Sequence, residues 1–538
     1  MKKNVVLVIE ERLDKNIFMH NYLEEEENTP DIYQLVRGLS STEKSYYKKM
    51  SKRHANQNEA LHLRLFKLIE ESDVQDDNEL CERLAIENKI HFSGLKTYLH
   101  KDILDTLVFQ KRNKSIDTRL YFIQDQIRSL QEKNLLSLAQ KLCRKGIALA
   151  NQYEKYHFLI LLLHLENRVL EYKNYKQFKT TSDAVLSNLH TAINCQETFA
   201  ENRFLYEKTR RLTYRSWLPI TEEELVDINK TKTLLNKIKP ANAKPLMSLF
   251  YLNTLALCQY MLHENNSCAD TCKEIFNLWK TSPHLINEYA FLFLNSINTT
   301  CYNDFLVKDI NKVQNDIKAY QQLVKDNLKN EIHRKHFEVI HFNTELKVDL
   351  NTARFDELKK LIDNRSSIIF SYASHILSPA DRLSILSSVC IGYFVLQQWD
   401  EAEKLLSIIK ELNQHINRED ILYFSLLFYL AILYEQKEWY RLDSALEAAY
   451  HLLYDRKKLR PFERELMLFL RRLSTRHPGS DANKLMKYFL KRLDKYKDDP
   501  DKNLYFLYFN YYGWLESKIM KLRYMDYISL KIKEAELT

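Results

Sequence analysis

The sequence predicts an all-α protein, and three observations carry that expectation. There are only six glycines and nine prolines in 538 residues, apolar residues recur at helical spacing, and helix-capping signatures precede several of the apolar runs. Sheet-rich folds place Gly, Asn-Gly and Pro at their tight turns, because only such residues take a positive or a preset φ cheaply. Average usage is about 7% Gly and 5% Pro, several times more glycine than this chain holds, so few tight turns are expected. Gly38, Gly94, Gly146, Gly392, Gly479 and Gly513 stand no closer together than 34 positions. That spacing also excludes chemistry. A P-loop needs two glycines five positions apart, a dinucleotide fingerprint three within six, and a hydrolase elbow one on each side of its serine.

Composition narrows the class further. Hydrophobic residues make up 45% and charged residues 28%, enough for a large core and too apolar for general disorder. The 33 tyrosines and 26 phenylalanines suit the space between stacked helices, with tyrosine hydroxyls reaching the rim. The most apolar run, Phe158 to Leu163, ends at His164 and falls far short of the roughly 20 residues of a membrane span. Met1-Lys2-Lys3 and the apolar Val5 to Ile9 begin like a signal peptide. Glu10-Glu11-Arg12 cuts that pattern off, so a cytoplasmic protein is expected. The eight cysteines (Cys81, Cys143, Cys195, Cys258, Cys268, Cys272, Cys301 and Cys390) form no CxxC pair and read as buried free thiols.

Four regions are expected. Residues 1–28 are a loose leader ending in the acidic run Glu24 to Glu27, with Met19 an alternative start. Residues 29–112 are an N-terminal helical module. There Ser40 and Glu43 make a capping box, and Leu95, Leu99, Ile103 and Leu107 form an apolar stripe on a helix spanning 92–109. Residues 113–454 carry a repeat signal. Residues 455–538 are a basic helical cap, with helices over 462–473, 483–495 and 504–520. From Asp455 onward there are 20 Lys/Arg and 12 Asp/Glu, a net charge of +8, so the whole excess lies there and the remainder is neutral. A neutral body argues against a surface that tracks a phosphate backbone along its whole length.

The repeat signal is clearest at Leu386, Val389, Cys390, Tyr393, Trp399, Ala402, Leu406 and Ile409. Those positions resemble the large, large, small, aromatic, aromatic, small, large and small pattern of tetratricopeptide repeats. Gln397 stands where that family has a turn glycine, Ile409 is bulkier than the usual alanine, and the closing proline is absent. The aromatic-to-small spacing of nine recurs from Tyr260 to Ala269 and as Leu130 to Ala139, and Phe394–Trp399 is echoed 40 residues on by Tyr434–Trp439. Ser378-Pro379 and the Thr221–Glu224 capping box mark further helix starts. The resemblance implies a right-handed α-solenoid of antiparallel helix pairs; other helical-pair solenoids fit the weaker stretches equally.

What the resemblance implies for function is a non-enzymatic protein-binding or scaffolding role, with a concave groove for a peptide or protein partner. Helical phase places Asn253, Gln259, Tyr260, Tyr393, Gln397, Tyr423 and Tyr429 in that groove. No motif orders a nucleophile, and no cofactor or metal is expected. His333, His336 and His341 spread over much of one helix side and lack HExxH order, and Cys268 and Cys272 flank a packing position. One alternative is nucleic-acid association, through a helix-turn-helix-like segment (Leu80 to Ala85, then Phe92 to Leu99, with Lys96 and His100 outward) or through the basic tail. The tail candidates are Arg456, Lys457, Lys458, Arg460, Arg471, Arg472 and Arg476. The other alternative is a structural subunit of a larger assembly.

Overall fold

The computed structural model describes residues 31–51, 60–71, 76–86, 88–111, 115–172, 175–213, 216, 221–238, 244–307, 309–416, 418–455, 461–474, 481–493 and 508–537. Among these there is no strand, and twenty-four α-helices are present. They divide into two compact units, 1–197 and 198–538.

The first unit opens with α1 (Asp31–Gly38), α2 (Ser41–Ser51), α3 (Leu61–Glu71), α4 (Asp77–Leu84) and α5 (Lys89–Lys111). These five helices share one core, in which Tyr33, Tyr47, Leu63, Phe66, Leu99 and Ile103 are buried. The Ser40–Glu43 capping box forms: the Glu43 amide donates to Ser40 Oγ at 3.3 Å and the Ser40 amide to Glu43 Oε2 at 3.0 Å. On α5, Leu99 and Ile103 are fully buried, while Leu95 and Leu107 pack against the cluster from its edge. Next come α6 (Ile116–Glu132), α7 (Leu136–Gln152) and α8 (Tyr156–Leu170), each packed on the next. The long helix α9 (Tyr175–Thr213) contains the boundary between the units.

In the second unit, α10 (Glu222–Lys237) starts at the Thr221–Glu224 capping box. Five helix pairs follow: α11 (Pro245–Met261) with α12 (Asn265–Thr281), α13 (Ala290–Leu306) with α14 (Ile310–Asn327), α15 (Glu331–Asn351) with α16 (Phe355–Ile376), α17 (Pro379–Val395) with α18 (Trp399–Ile416), and α19 (Glu419–Gln436) with α20 (Trp439–Asp455). Each helix packs on its successor. The first helices α11, α13, α15, α17 and α19 also touch one another in a row. Their sequences explain the two roles. In α11 nearly every residue from Leu246 to Met261 is buried, as a helix apolar all round must be. In α18 only one stripe is buried: Ala402, Leu405, Leu406, Ile409 and Asn413. The chain ends with α21 (Pro461–Ser474), α22 (Asp481–Leu493), α23 (Tyr511–Ile519) and α24 (Tyr524–Leu537). The leader 1–28, residues 456–460, Gly479 and residues 504–507 of the expected 504–520 helix lie outside the described residues, and the described part of that helix begins only at Tyr511, with Tyr508 to Asn510 non-helical.

The turns correct one expectation. Scarce glycine does not mean scarce tight turns, because Asn134, Glu154, His263, Ala353, Gln397 and Lys437 all take positive φ, between 53° and 61°. In each case the next amide reaches back five residues, as in Glu264 to Gln259 (2.9 Å), Arg354 to Asp349 (3.0 Å), Gln398 to Tyr393 (2.9 Å) and Glu438 to Leu433 (3.0 Å). This left-handed turn satisfies helix-end carbonyls and is usually built with glycine. Here other residues build it, at a conformational cost.

Close helix crossings fall where small side chains allow them. Ala139 and Ala402 are fully buried, and the Cys390 thiol donates to the Ala402 carbonyl at 3.2 Å. On α12 the buried crossing residue is Cys268, whose thiol reaches the Ala256 carbonyl at 3.4 Å, and the neighbouring Ala269 is only half-buried.

Candidate binding cleft

The row of first helices carries buried and half-buried polar side chains on one flank. On α13 they recur through Asn295, Asn298, Thr299 and Tyr302 (i, i+3, i+4, i+7), and on α15 through His336, Asn343 and Lys347 (i, i+7, i+11), each set on a single helix face. Two small adjoining clefts, each with room inside for only one or two waters, share Asn298 and Asp381. The larger is walled by Tyr206 and Arg210 of α9 and by Asn253 and Asn295; the smaller by Tyr302, His336, Asn343 and Ser384.

Some of these groups are satisfied within the protein. Asn253 donates to the Leu249 carbonyl (2.8 Å) and accepts from Ser296 Oγ (2.9 Å), and Asn295 donates to the Tyr206 hydroxyl (3.0 Å). Asp381 closes the first turn of α17, where its amide donates to Ser378 Oγ. Others are not. His336 Nδ1 and Asn343 Oδ1 are buried without a hydrogen-bond partner among the described residues, although both side chains are 92% enclosed. Asn298, half-buried at the junction of the two clefts, likewise makes no hydrogen bond with any described residue. Buried polar groups are normally paired, since an unmet donor or acceptor costs about 1–3 kcal/mol. Burial, with the neighbouring His333, pushes His336 down to about 4, so the imidazole is neutral near pH 7. One turn beyond Asn343, the Lys347 ammonium lies 4.0 Å from the Tyr302 ring centre, and burial lowers its pKa to about 7.

Towards α19 the same row is covered by the chain itself. Arg418 and Asp420 are buried and bonded side by side (Nη2 to Oδ2, 2.6 Å; Nε to Oδ1, 2.8 Å). Burial opposes the Arg418 charge, and the Asp420 carboxylate more than offsets it, raising the guanidinium pKa. Arg418 Nη1 also donates to the Ala380 carbonyl (3.1 Å), and the Tyr508 hydroxyl donates to Asp420 Oδ2 (2.6 Å). Beside them Phe509 packs on Phe394 and Phe428, and Trp514 Nε1 donates to Glu435 (2.6 Å). The two small clefts therefore lie among α9, α11, α13, α15 and α17. No family model matches the chain, and no curated protein matches it.

Of the groove residues expected from the sequence, only Asn253 lines the cleft. Gln259 and Tyr260 are buried between helices, with Gln259 Oε1 accepting from Thr271 (2.8 Å), and Tyr423 is buried with its hydroxyl towards Glu419 (3.5 Å). Tyr393 is half-buried, Gln397 occupies a left-handed turn, and Tyr429 sits under Lys410 and accepts from Arg441 (2.9 Å). The expected set is not brought together. The signal that would have found the cleft is Asn295-Ser296-Ile297-Asn298-Thr299-Thr300, a polar stretch inside an otherwise apolar helix.

The other candidates also have definite places. His336 faces the cleft, His333 lies 5.0 Å from the Phe291 ring, and His341 pairs with Glu345 at 3.1 Å. In the helix-turn-helix-like segment, Lys96 bonds Asp77 across α4 and α5 (2.6 Å) and lies over the Phe92 ring, so it ties the two helices together. The surface of residues 90–101 exposes Ile90 and Tyr98 alongside His91 and Lys101, a mixed rather than continuously basic face. Arg471 and Arg472 are exposed on α21, whereas Arg456, Lys457, Lys458, Arg460 and Arg476 lie outside the described residues.

Proposed function

We propose that this chain is a non-enzymatic binding or scaffolding protein. In this reading its second unit is a tetratricopeptide-like, right-handed solenoid of antiparallel pairs that grips an extended peptide across its first helices. The observation carrying this reading is the pair of buried, unpartnered atoms His336 Nδ1 and Asn343 Oδ1 beside the half-buried amide of Asn298. A side-chain amide offers one acceptor and two donors, the complement of a peptide N–H and C=O. A partner helix spends its main-chain groups internally and would have to meet Asn298 with a side chain, whereas an extended strand offers main-chain groups directly. Neighbouring helices stand about 8–10 Å apart and a strand advances about 3.3 Å per residue, so such a peptide would meet a new helix roughly every third residue. The successive helix pairs, the non-glycine turns at Ala353, Gln397 and Lys437, and the buried Ala402 support the repeat assignment.

The test is selection of a displayed library of random, unstructured peptides on the intact protein, followed by titration of the enriched peptides. Asn298→Leu and Asn343→Leu are each expected to weaken binding about tenfold, the worth of one buried hydrogen bond. Methylating the peptide's main-chain nitrogens one at a time should be as damaging at one or two positions. Failure to enrich any peptide, or enriched peptides indifferent to both substitutions, would overturn the reading.

A further inference from the structure

Helices α21 and α22 pack through Phe469 and Phe489, whose rings stack 4.4 Å apart, with Leu466, Met467, Leu470, Met486 and Leu490 buried around them. The opposite faces are set by the same periodicity. On α21 the exposed residues Arg464, Leu468, Arg471 and Arg472 fall at i, i+4, i+7 and i+8. On α22 the exposed residues Lys484, Lys487, Tyr488, Lys491 and Arg492 fall at i, i+3, i+4, i+7 and i+8. Arg492 bonds Glu465 of α21, so the two stripes meet along one edge. Among the described side chains of these helices, the remaining carboxylate, Glu463, is buried on the inner side. The described side chains of the outer surface are thus of nearly one sign. Like charges three and four residues apart destabilise a helix, and a face kept only for solubility would mix signs.

We infer that this two-helix face binds single-stranded nucleic acid, with its lysines and arginines on phosphates and Tyr488 against a base. Each stripe spans about 12 Å, and packed helices stand about 8–10 Å apart, a footprint of a few nucleotides. Tyr488 is 54% exposed amid the cations, with Arg492 Nη1 3.2 Å from its hydroxyl. An aromatic platform inside a cationic surface suits the π-face of a base, whereas an acidic protein surface would leave the ring without a counterpart. The chain's entire net charge lies in its last 84 residues, which makes the field local.

The experiment is fluorescence anisotropy of the intact protein with a labelled oligothymidylate of about 20 nucleotides, from about 50 to 300 mM NaCl. The triple variant Lys484→Gln, Lys487→Gln, Lys491→Gln should bind at least tenfold more weakly. Its slope of log K against log salt should flatten by about 2, at roughly 0.7 for each phosphate no longer neutralised. Tyr488→Ala should cost about fivefold or more with the slope unchanged. A control of equal charge on other helices (Lys318→Gln, Lys359→Gln, Lys360→Gln) should leave affinity within a factor of two. The inference is overturned if the control loses as much as the triple variant, or if no binding is seen at the lowest salt. It is equally overturned if polyglutamate competes as well as the oligonucleotide while Tyr488→Ala has no effect, which would mark an acidic protein as the partner. None of these outcomes touches the peptide cleft, whose own titrations use different substitutions.

Discussion

Replacing Arg418 by methionine should be among the most damaging single changes in the second unit, and the reason lies in what it leaves behind. The side chain is fully enclosed and gives two bonds to Asp420, one to the Ala380 carbonyl and a longer one to Ser384 Oγ (3.4 Å). Methionine fills much of the same space but supplies no charge. Asp420 would keep the Ile421 amide (2.9 Å) and the Tyr508 hydroxyl, two neutral donors, while losing its cation in a place water does not reach. Breaking a buried pair from one side typically costs about 3–5 kcal/mol, and the two surviving donors put the expectation near the lower end, about 3 kcal/mol. Adding Asp420→Leu removes the stranded carboxylate. The double variant then lacks only hydrogen bonds to Tyr508 and the main chain, at about 1 kcal/mol each, so it should be more stable than the single. Denaturant unfolding followed by circular dichroism gives the comparison, with hydrogen exchange at residues 508–515 as the local readout, because Tyr508 docks on this carboxylate from 88 residues away. A loss under 1 kcal/mol for Arg418→Met, or a double variant no better than the single, would refute the reasoning.

Three further outcomes are expected. Gln397→Gly and Lys437→Gly should each stabilise by about 0.5–1 kcal/mol in thermal melts, since both relieve a left-handed residue, and a comparable loss in either would contradict the turn assignment. Ala402→Leu should cost about 2–3 kcal/mol because the Cys390 thiol already touches its carbonyl, whereas Ala269→Leu should be nearly neutral; equal costs in denaturant titrations would argue against the two crossings described. His336 is held neutral when folded, so the unfolded chain binds its proton first as pH falls. Relative to a His336→Gln variant, the protein should lose about 1.4 kcal/mol per pH unit between pH 6.5 and about 4, with full stability above that window. Parallel stability–pH curves for the two proteins would count against the buried imidazole.

Much of the architecture is legible in the sequence because helices announce themselves locally. The capping boxes at Ser40 and Thr221 and the Ser378-Pro379 start need only neighbours three residues away, and all three form. The stripe through Leu99 and Ile103 reads directly as a packing face. The cleft is harder. On α11 and α19 almost every side is buried, so helical phase cannot separate a groove residue from a core one, and Gln259, Tyr260 and Tyr423 fall inside. What marks the cleft is a failure of pairing at His336 Nδ1 and Asn343 Oδ1, beside Asn298, and pairing is a tertiary property. Glycine scarcity likewise misled about turns, since it reports which residue fills a turn and not whether the turn exists. The basic surface was partly legible: Arg471 and Arg472 stand in it, but its other half on α22 emerges only when Phe489 packs inward and turns Lys484, Lys487 and Lys491 to solvent.

The amide row itself can be watched directly. With asparagine side chains labelled with nitrogen-15 and assigned by single substitution, the Asn298 NH₂ signals should shift on adding a saturating selected peptide and exchange more slowly with water. The Asn343 NH₂, which already donates to the Tyr302 hydroxyl (3.4 Å), should shift through a new bond to its Oδ1. The Asn253 signal, already committed to the Leu249 carbonyl, should barely move. Peptide that binds while Asn298 and Asn343 stay unchanged would contradict the account.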